Sequence, residues 1–135
     1  MAQKKSVLII EDDQLFAEKL KHTLINAVDE VTVVETVARG TYFLPKLQPY
    51  MVFLDNKLPI IKGLEVITFF KELSPNTKIV MMSGVFSNKQ KQDAINCKAD
   101  YIIDKEQLTK TNVINIINQT ADQFTAKNVA KNIKN

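Results

Sequence analysis

Four places in the sequence carry groups suited to holding a cation beside a phosphoryl group. Glu11, Asp12 and Asp13 stand together, Asp55 ends an apolar run, Ser83 precedes Gly84, and Lys105 follows a second apolar run. Packed carboxylates repel one another and call for a cation. Two or three acid oxygens, with a backbone carbonyl and waters, suit octahedral Mg2+ better than a Ca2+ cage or a zinc site. Beside such an ion, one carboxylate is able to attack a phosphoryl group and form an acyl phosphate. That chemistry asks mainly for positioning and charge neutralisation, which a divalent cation, an ammonium and a hydroxyl donor supply. Singly, each residue has a plain structural use: Asp13 as a helix cap, Lys105 as a surface lysine. The chemistry lies in the set.

These groups need elements that bring them to one rim. Short apolar runs lie at 7–10, 51–54, 79–82 and 101–103, with a fifth at 31–34 interrupted by Thr32. They lack strict alternation, as strands covered on both faces do. Between them, Leu15, Phe16, Leu20, Leu24 and Ile25 recur at helical spacing after Asp13, a candidate N-cap. Leu64, Ile67, Phe70 and Leu73 repeat the pattern before the turn at Pro75-Asn76, and Val113, Ile116, Ile117, Ala121 and Phe124 repeat it again. Residues 38–47 are predicted as a second helix, cut or kinked by Pro45. Strands alternating with helices imply right-handed crossovers and an α/β fold, a parallel sheet with helices on both faces. Five such units fill the chain to about residue 124. In an open sheet of this kind, ligands gather at the carboxyl ends of the strands, and the four places fall there.

Composition narrows the classes. The 135 residues are 45% hydrophobic and 24% charged, a globular balance that excludes disorder. A single cysteine, Cys97, forbids an intrachain disulfide and fits a reducing compartment, hence a cytoplasmic protein. No apolar run approaches the roughly 18 residues of a membrane helix. The net charge of +3 does not belong to the body of the chain: residues 1–106 hold 14 basic and 14 acidic groups, whereas 107–135 hold Lys110, Lys127, Lys131 and Lys134 against Asp122. Arg39 is the sole arginine, and arginine is the usual reader of base edges and phosphates. A nucleic-acid partner is therefore not predicted. The stripe Ala126, Val129, Ala130 and Ile133 is expected to extend the last helix or fray, with a docking surface or the start of a linker as alternatives.

In this order and on this fold, the motifs resemble the receiver domain of two-component response regulators, from about Ser6 to Phe124. They are Val7-Leu8-Ile9-Ile10-Glu11-Asp12-Asp13, Asp55-Asn56-Lys57-Leu58-Pro59 with Gly63-Leu64-Glu65, Met81-Met82-Ser83-Gly84, and Ala99-Asp100-Tyr101-Ile102-Ile103-Asp104-Lys105. The resemblance implies a doubly wound, flavodoxin-like sheet of order 2-1-3-4-5 with five helices. It places a receiver at 1–124 and a helical extension or tail at 125–135. It implies Glu11 and Asp12 as the acidic pair, Asp12 as a direct metal ligand, and Asp55 as phosphoacceptor and further ligand. Lys57 would offer its backbone carbonyl to Mg2+ (or Mn2+), Ser83 its hydroxyl and Lys105 its ammonium to the phosphoryl group. Pro59 and Gly63 match the loop that shapes the site. The donor would be a histidine kinase or histidine phosphotransfer protein. The output would be relay or phosphorylation-dependent binding of a downstream protein through the face of the fourth helix, fifth strand and fifth helix. The chain would catalyse only its own phosphorylation and dephosphorylation.

Three positions depart from the family pattern. Ser83 replaces the commoner threonine and keeps the hydroxyl. Ile102 stands at the aromatic switch position, with Tyr101 one residue out of register and so on the opposite strand face. Glu106 replaces the proline that commonly follows the lysine. Lys57, two residues beyond Asp55, is expected to overhang the acyl phosphate and prolong its life.

Other readings stand beside this one. A haloacid-dehalogenase-type phosphatase also uses an aspartate after a strand, but it needs a second acid where Lys57 stands. A receiver-like interaction or dimerisation module without phosphorylation is a second alternative. A receiver cut from a longer regulator with a DNA-binding or enzymatic output is a third. His22, Cys97 and the pair Phe69 and Phe70 read as packing or surface residues, and the glycines at 40, 63 and 84 form neither a P-loop nor a dinucleotide fingerprint.

Overall fold

The computed structural model describes residues 4–57 and 63–133. Five parallel strands, β1 (Ser6–Ile10), β2 (Glu30–Val34), β3 (Met51–Asp55), β4 (Lys78–Ser83) and β5 (Tyr101–Asp104), form one sheet in the order β2-β1-β3-β4-β5. Every apolar run expected as a strand is one. Ile10 pairs with Leu54, Asp55 with Met82, and Ser83 with Asp104, so the carboxyl ends of β1, β3, β4 and β5 finish nearly level. Residues just past those ends therefore share one rim.

The period-two alternation of strands splits their side chains between two cores. Val7, Ile9, Phe53, Met82 and Ile103 face α1 (Gln14–Leu24) and α5 (Lys110–Ile117), meeting Ala17, Leu20, Leu24, Val113 and Ile116. Leu8, Ile10, Val52, Leu54 and Met81 face α2 (Val37–Leu47), α3 (Gly63–Leu73) and α4 (Asn88–Asn96), meeting Leu44, Ile67, Phe70 and Ala94. Burying each large apolar side chain contributes roughly 1.5–3 kcal/mol. Gly40 lets α2 lie close on β1, because a Cβ there would collide with Ile10 Cδ1.

Polar residues start the helices where the rim needs them started. Asp13 caps α1, its Oδ1 accepting from the Phe16 N–H at 3.1 Å. Ser87 and Gln90 form a reciprocal capping box on α4. With Asp13 turned to its helix, Glu11 and Asp12 are the two of the three successive acids left to join Asp55.

Two expectations need correction. Pro45 does not cut α2, which runs on to Leu47 and ends where Gln48 takes a left-handed conformation (φ 42°). The proline sits in the last turn, and the helix is held there by packing of Leu44 and Leu47, which outweighs one missing backbone bond. The described residues hold six α-helices, not five, and the tail does not extend α5. Gln119 turns left-handed (φ 59°), residues 122–124 make a 3-10 turn, Thr125 is extended, and a separate α6 follows at Ala126–Asn132. Pro59 and Lys134 lie outside the described residues.

Candidate functional site

Glu11 prolongs the β1 ladder by one bond, its N–H donating to Val34 O at 3.0 Å. That drives its side chain beneath the rim, where it is 1% exposed. Oε2 accepts from the Asp13 N–H at 3.1 Å, and Oε1 lies 2.5 Å from the Lys105 ammonium. Asp55, at the end of β3, is also buried. Its Oδ1 accepts from the Lys57 N–H at 3.0 Å, and Oδ2 lies 3.4 Å from Lys105 Nζ. Asp12 is exposed, and oxygens of Glu11, Asp12 and Asp55 lie within 4.8 Å of one another. Ser83 is buried at the end of β4, its hydroxyl donating to Val85 O at a long 3.4 Å.

Two buried carboxylates, Glu11 and Asp55, thus share one ammonium, with the exposed Asp12 beside them. Burial pushes the Glu11 carboxyl up to about 7; the Lys105 ammonium pulls the other way, and Asp55 adds to the rise. Burial opposes the Lys105 charge, but Glu11 and Asp55 outweigh it and hold the lysine above its usual value. The Glu11 Oε1 atom accepts no directional hydrogen bond among the described residues, although the ammonium charge is close. A buried acid oxygen with a free lone pair, amid an excess of hard oxygen donors, fits a small divalent cation.

The sequence-selected residues Glu11, Asp12, Asp55, Ser83 and Lys105 converge, and Gly63 begins α3. Lys57 reaches across the rim: its Nζ lies 3.6 Å from where a Cβ on Gly84 would sit. Ile102 and Tyr101 are both buried but belong to opposite cores, as alternation requires. One neighbour was read only as part of a helical stripe. Phe16 places its ring centre 4.7 Å from Lys105 Nζ, a cation–π contact. The available signal was an aromatic in the first turn after an acidic run.

Residues 7–118 match the family model of the response regulator receiver domain. The chain belongs to that family. Receivers bind Mg2+ in an acidic pocket and are phosphorylated by histidine kinases or phosphotransfer proteins, and this receiver groups the carboxylates of Glu11, Asp12 and Asp55. It is 26% identical over 84 residues to the photosynthetic apparatus regulatory protein RegA of Rhodobacter capsulatus, covering 62% of this chain and 46% of RegA. The receiver thus spans about half the length of that relative. Its fold is that of a CheY-like receiver domain protein from Methanospirillum hungatei, with TM-score 0.78 and 24% identity over 90% of this chain and 96% of the other. A response regulator from Burkholderia pseudomallei, solved with a phosphorylated aspartic acid, a calcium ion and citrate, matches at TM-score 0.78 and 20% identity, covering 95% of this chain and 75% of the other. No described helix is long and apolar enough to cross a membrane.

Proposed function

We propose that this receiver takes a phosphoryl group onto Asp55 from a phosphohistidine of a kinase or phosphotransfer protein. The carrying observation is the buried Asp55 carboxylate, grouped with Glu11 and Asp12 and 3.4 Å from the Lys105 ammonium. Glu11, Asp12, Asp55 and the Lys57 carbonyl would hold Mg2+, which supplies neutralisation of charge on the transferring group. The Lys57 N–H fixes the carboxylate through Oδ1. An Asp55 oxygen attacks phosphorus; the P–O bond forms as the P–N bond to imidazole breaks, and the imidazole nitrogen leaves with the electron pair. Lys105 is already beside the acceptor and pairs with the phosphoryl oxygens. The weakly bonded Ser83 hydroxyl turns from Val85 O to donate to one of them.

Residues 1–124 form the phosphoacceptor unit on this reading and 125–135 its extension. On this reading the receiver catalyses only its own phosphorylation and dephosphorylation, and it signals by relay or by altered binding of a downstream protein in the cytoplasm. The phosphorylated aspartic acid in the Burkholderia relative supports the acceptor role. Phosphoramidate, a small donor with a P–N bond, tests it. With Mg2+ the chain is expected to gain one phosphoryl group and Asp55→Asn none. A chain that stays unlabelled points to an interaction module without phosphorylation, a reading that Ile102 at the aromatic switch position favours.

A further inference from the structure

The segment beyond α5 occupies the free edge of β5. Thr125 forms an antiparallel bridge with Tyr101, and the Ala126 N–H donates to Asp100 O at 3.0 Å, filling backbone groups that an edge strand leaves open. The chain then crosses to the α4 layer. There Ala126 and Val129 of α6 pack against the core cluster that includes Phe86, Ala94, Cys97 and Ile102. A cleft of about 150 Å3 lies beneath α6, lined by Phe86, Ile102, Asp104, Phe124, Val129 and Ile133 among others.

Phe86 joins this cleft to the rim. It lies three residues past Ser83, is buried, and its N–H donates at 3.2 Å to Asp104 Oδ1, next to Lys105. When the Ser83 hydroxyl turns toward a phosphoryl group, its bond to Val85 O is given up, and the strip 84–86 stays tied through the Phe86 N–H to Asp104 Oδ1. A shift of Phe86 would then be felt in the cleft it lines together with Val129 and Ile133. The α6 helix has seven residues, none of them fully buried, too short to persist without its packing. Displacing Phe86 would change one wall of that cleft and one member of the cluster on which Ala126 and Val129 pack.

We infer that α6 is a releasable cover on α4 and the β5 edge, coupled through Phe86 to the state of Asp55, so that phosphorylation loosens it. The inference rests on the phosphoacceptor reading above. It assigns the role of the absent aromatic at Ile102 to a different ring, on the loop after Ser83, and gives that ring a structural load to release.

The test uses the whole chain with Mg2+ and beryllofluoride as the phosphoryl mimic. Binding is followed by fluorine NMR, and backbone amide exchange is followed at residues 126–132. Exchange there is expected to speed at least about tenfold when the mimic binds. By reciprocity, Val129→Asp, which frees α6 beforehand, should bind the mimic about five- to tenfold more tightly, whereas Lys127→Asp on the exposed face should match the wild type. Unchanged or slower exchange on binding, or equal affinity in Val129→Asp, overturns the coupling while leaving Asp55 as acceptor. A wild-type chain that does not bind the mimic overturns the acceptor reading and the coupling with it.

Discussion

The Lys105 ammonium sits 4.7 Å from the centre of the Phe16 ring while contacting the carboxylates of Glu11 and Asp55. The lysine is thereby held on three sides by groups from the ends of β1 and β3 and the first turn of α1. Phe16→Leu keeps the apolar bulk and removes the ring face, a contact worth about 0.5–1 kcal/mol. The expected result is a labelling rate with a small phosphodonor lowered about two- to fivefold, with stability changed little. An unchanged rate would show that the two carboxylates alone place Lys105.

Lys57 carries the second prediction. Its exposed side chain spans from the end of β3 to Gly84, and on the phosphoacceptor reading proposed above it would lie across the approach of a water to the phosphoryl group. Lys57→Asn retains the backbone and clears that path. The acyl phosphate of the variant is expected to decay several-fold faster than the wild type's, measured as loss of label after the donor is removed. Equal decay would mean that the lysine does not shield the site.

Asp12 is exposed and adds negative charge to a cluster that already exceeds its one ammonium. Mg2+ should therefore raise the wild-type melting temperature, since binding to the folded state alone stabilises it. Asp12→Asn is expected to melt at or above the metal-free wild type and to gain little on adding Mg2+. A variant that responds to Mg2+ as the wild type does would remove Asp12 from the ligand set.

Gly40 predicts a packing defect away from the chemistry. A Cβ at this position collides with Ile10 Cδ1, and overpacking a filled core costs about 1–3 kcal/mol. Gly40→Ala should lower the denaturation midpoint by an amount in that range, despite alanine's better helix propensity. A more stable variant would show that α2 lies further from β1.

Cys97 is 3% exposed at the end of α4, and burial, with a further push from Asp93, drives its thiol up to about 11. At pH 8 the reactive thiolate is then only about 0.1% of the population. Alkylation by iodoacetamide should be slow in the native protein and fast in denaturant. Rapid native labelling would place the thiol in a more open setting.

The strands and the rim were legible because both are local patterns. Continuous apolar runs read as strands covered on two sides, and a parallel sheet sends every residue just past a strand end to one edge. That logic found Glu11, Asp55, Ser83 and Lys105 together. Where reading failed, distant contacts decided the outcome. Pro45 looks like a break because its missing N–H is local, whereas the burial of Leu44 that holds the helix is tertiary. The stripe at 126–133 continues a helical period, and nothing at Gln119 announces the left-handed turn that separates α6 from α5. Phe86 stands alone between Val85 and Ser87 in no periodic run, so its place under α6 was visible only in three dimensions.

The central claim is that Asp55 is the phosphoacceptor of a cation-dependent site. The most direct measurement is peptide mass spectrometry of the chain after exposure to acetyl phosphate, with Mg2+ and with chelator. One phosphoryl group is predicted on the peptide containing Asp55, present with Mg2+ and lost with chelator or in Asp55→Asn. No label in the wild type, or equal label in Asp55→Asn, would contradict the account.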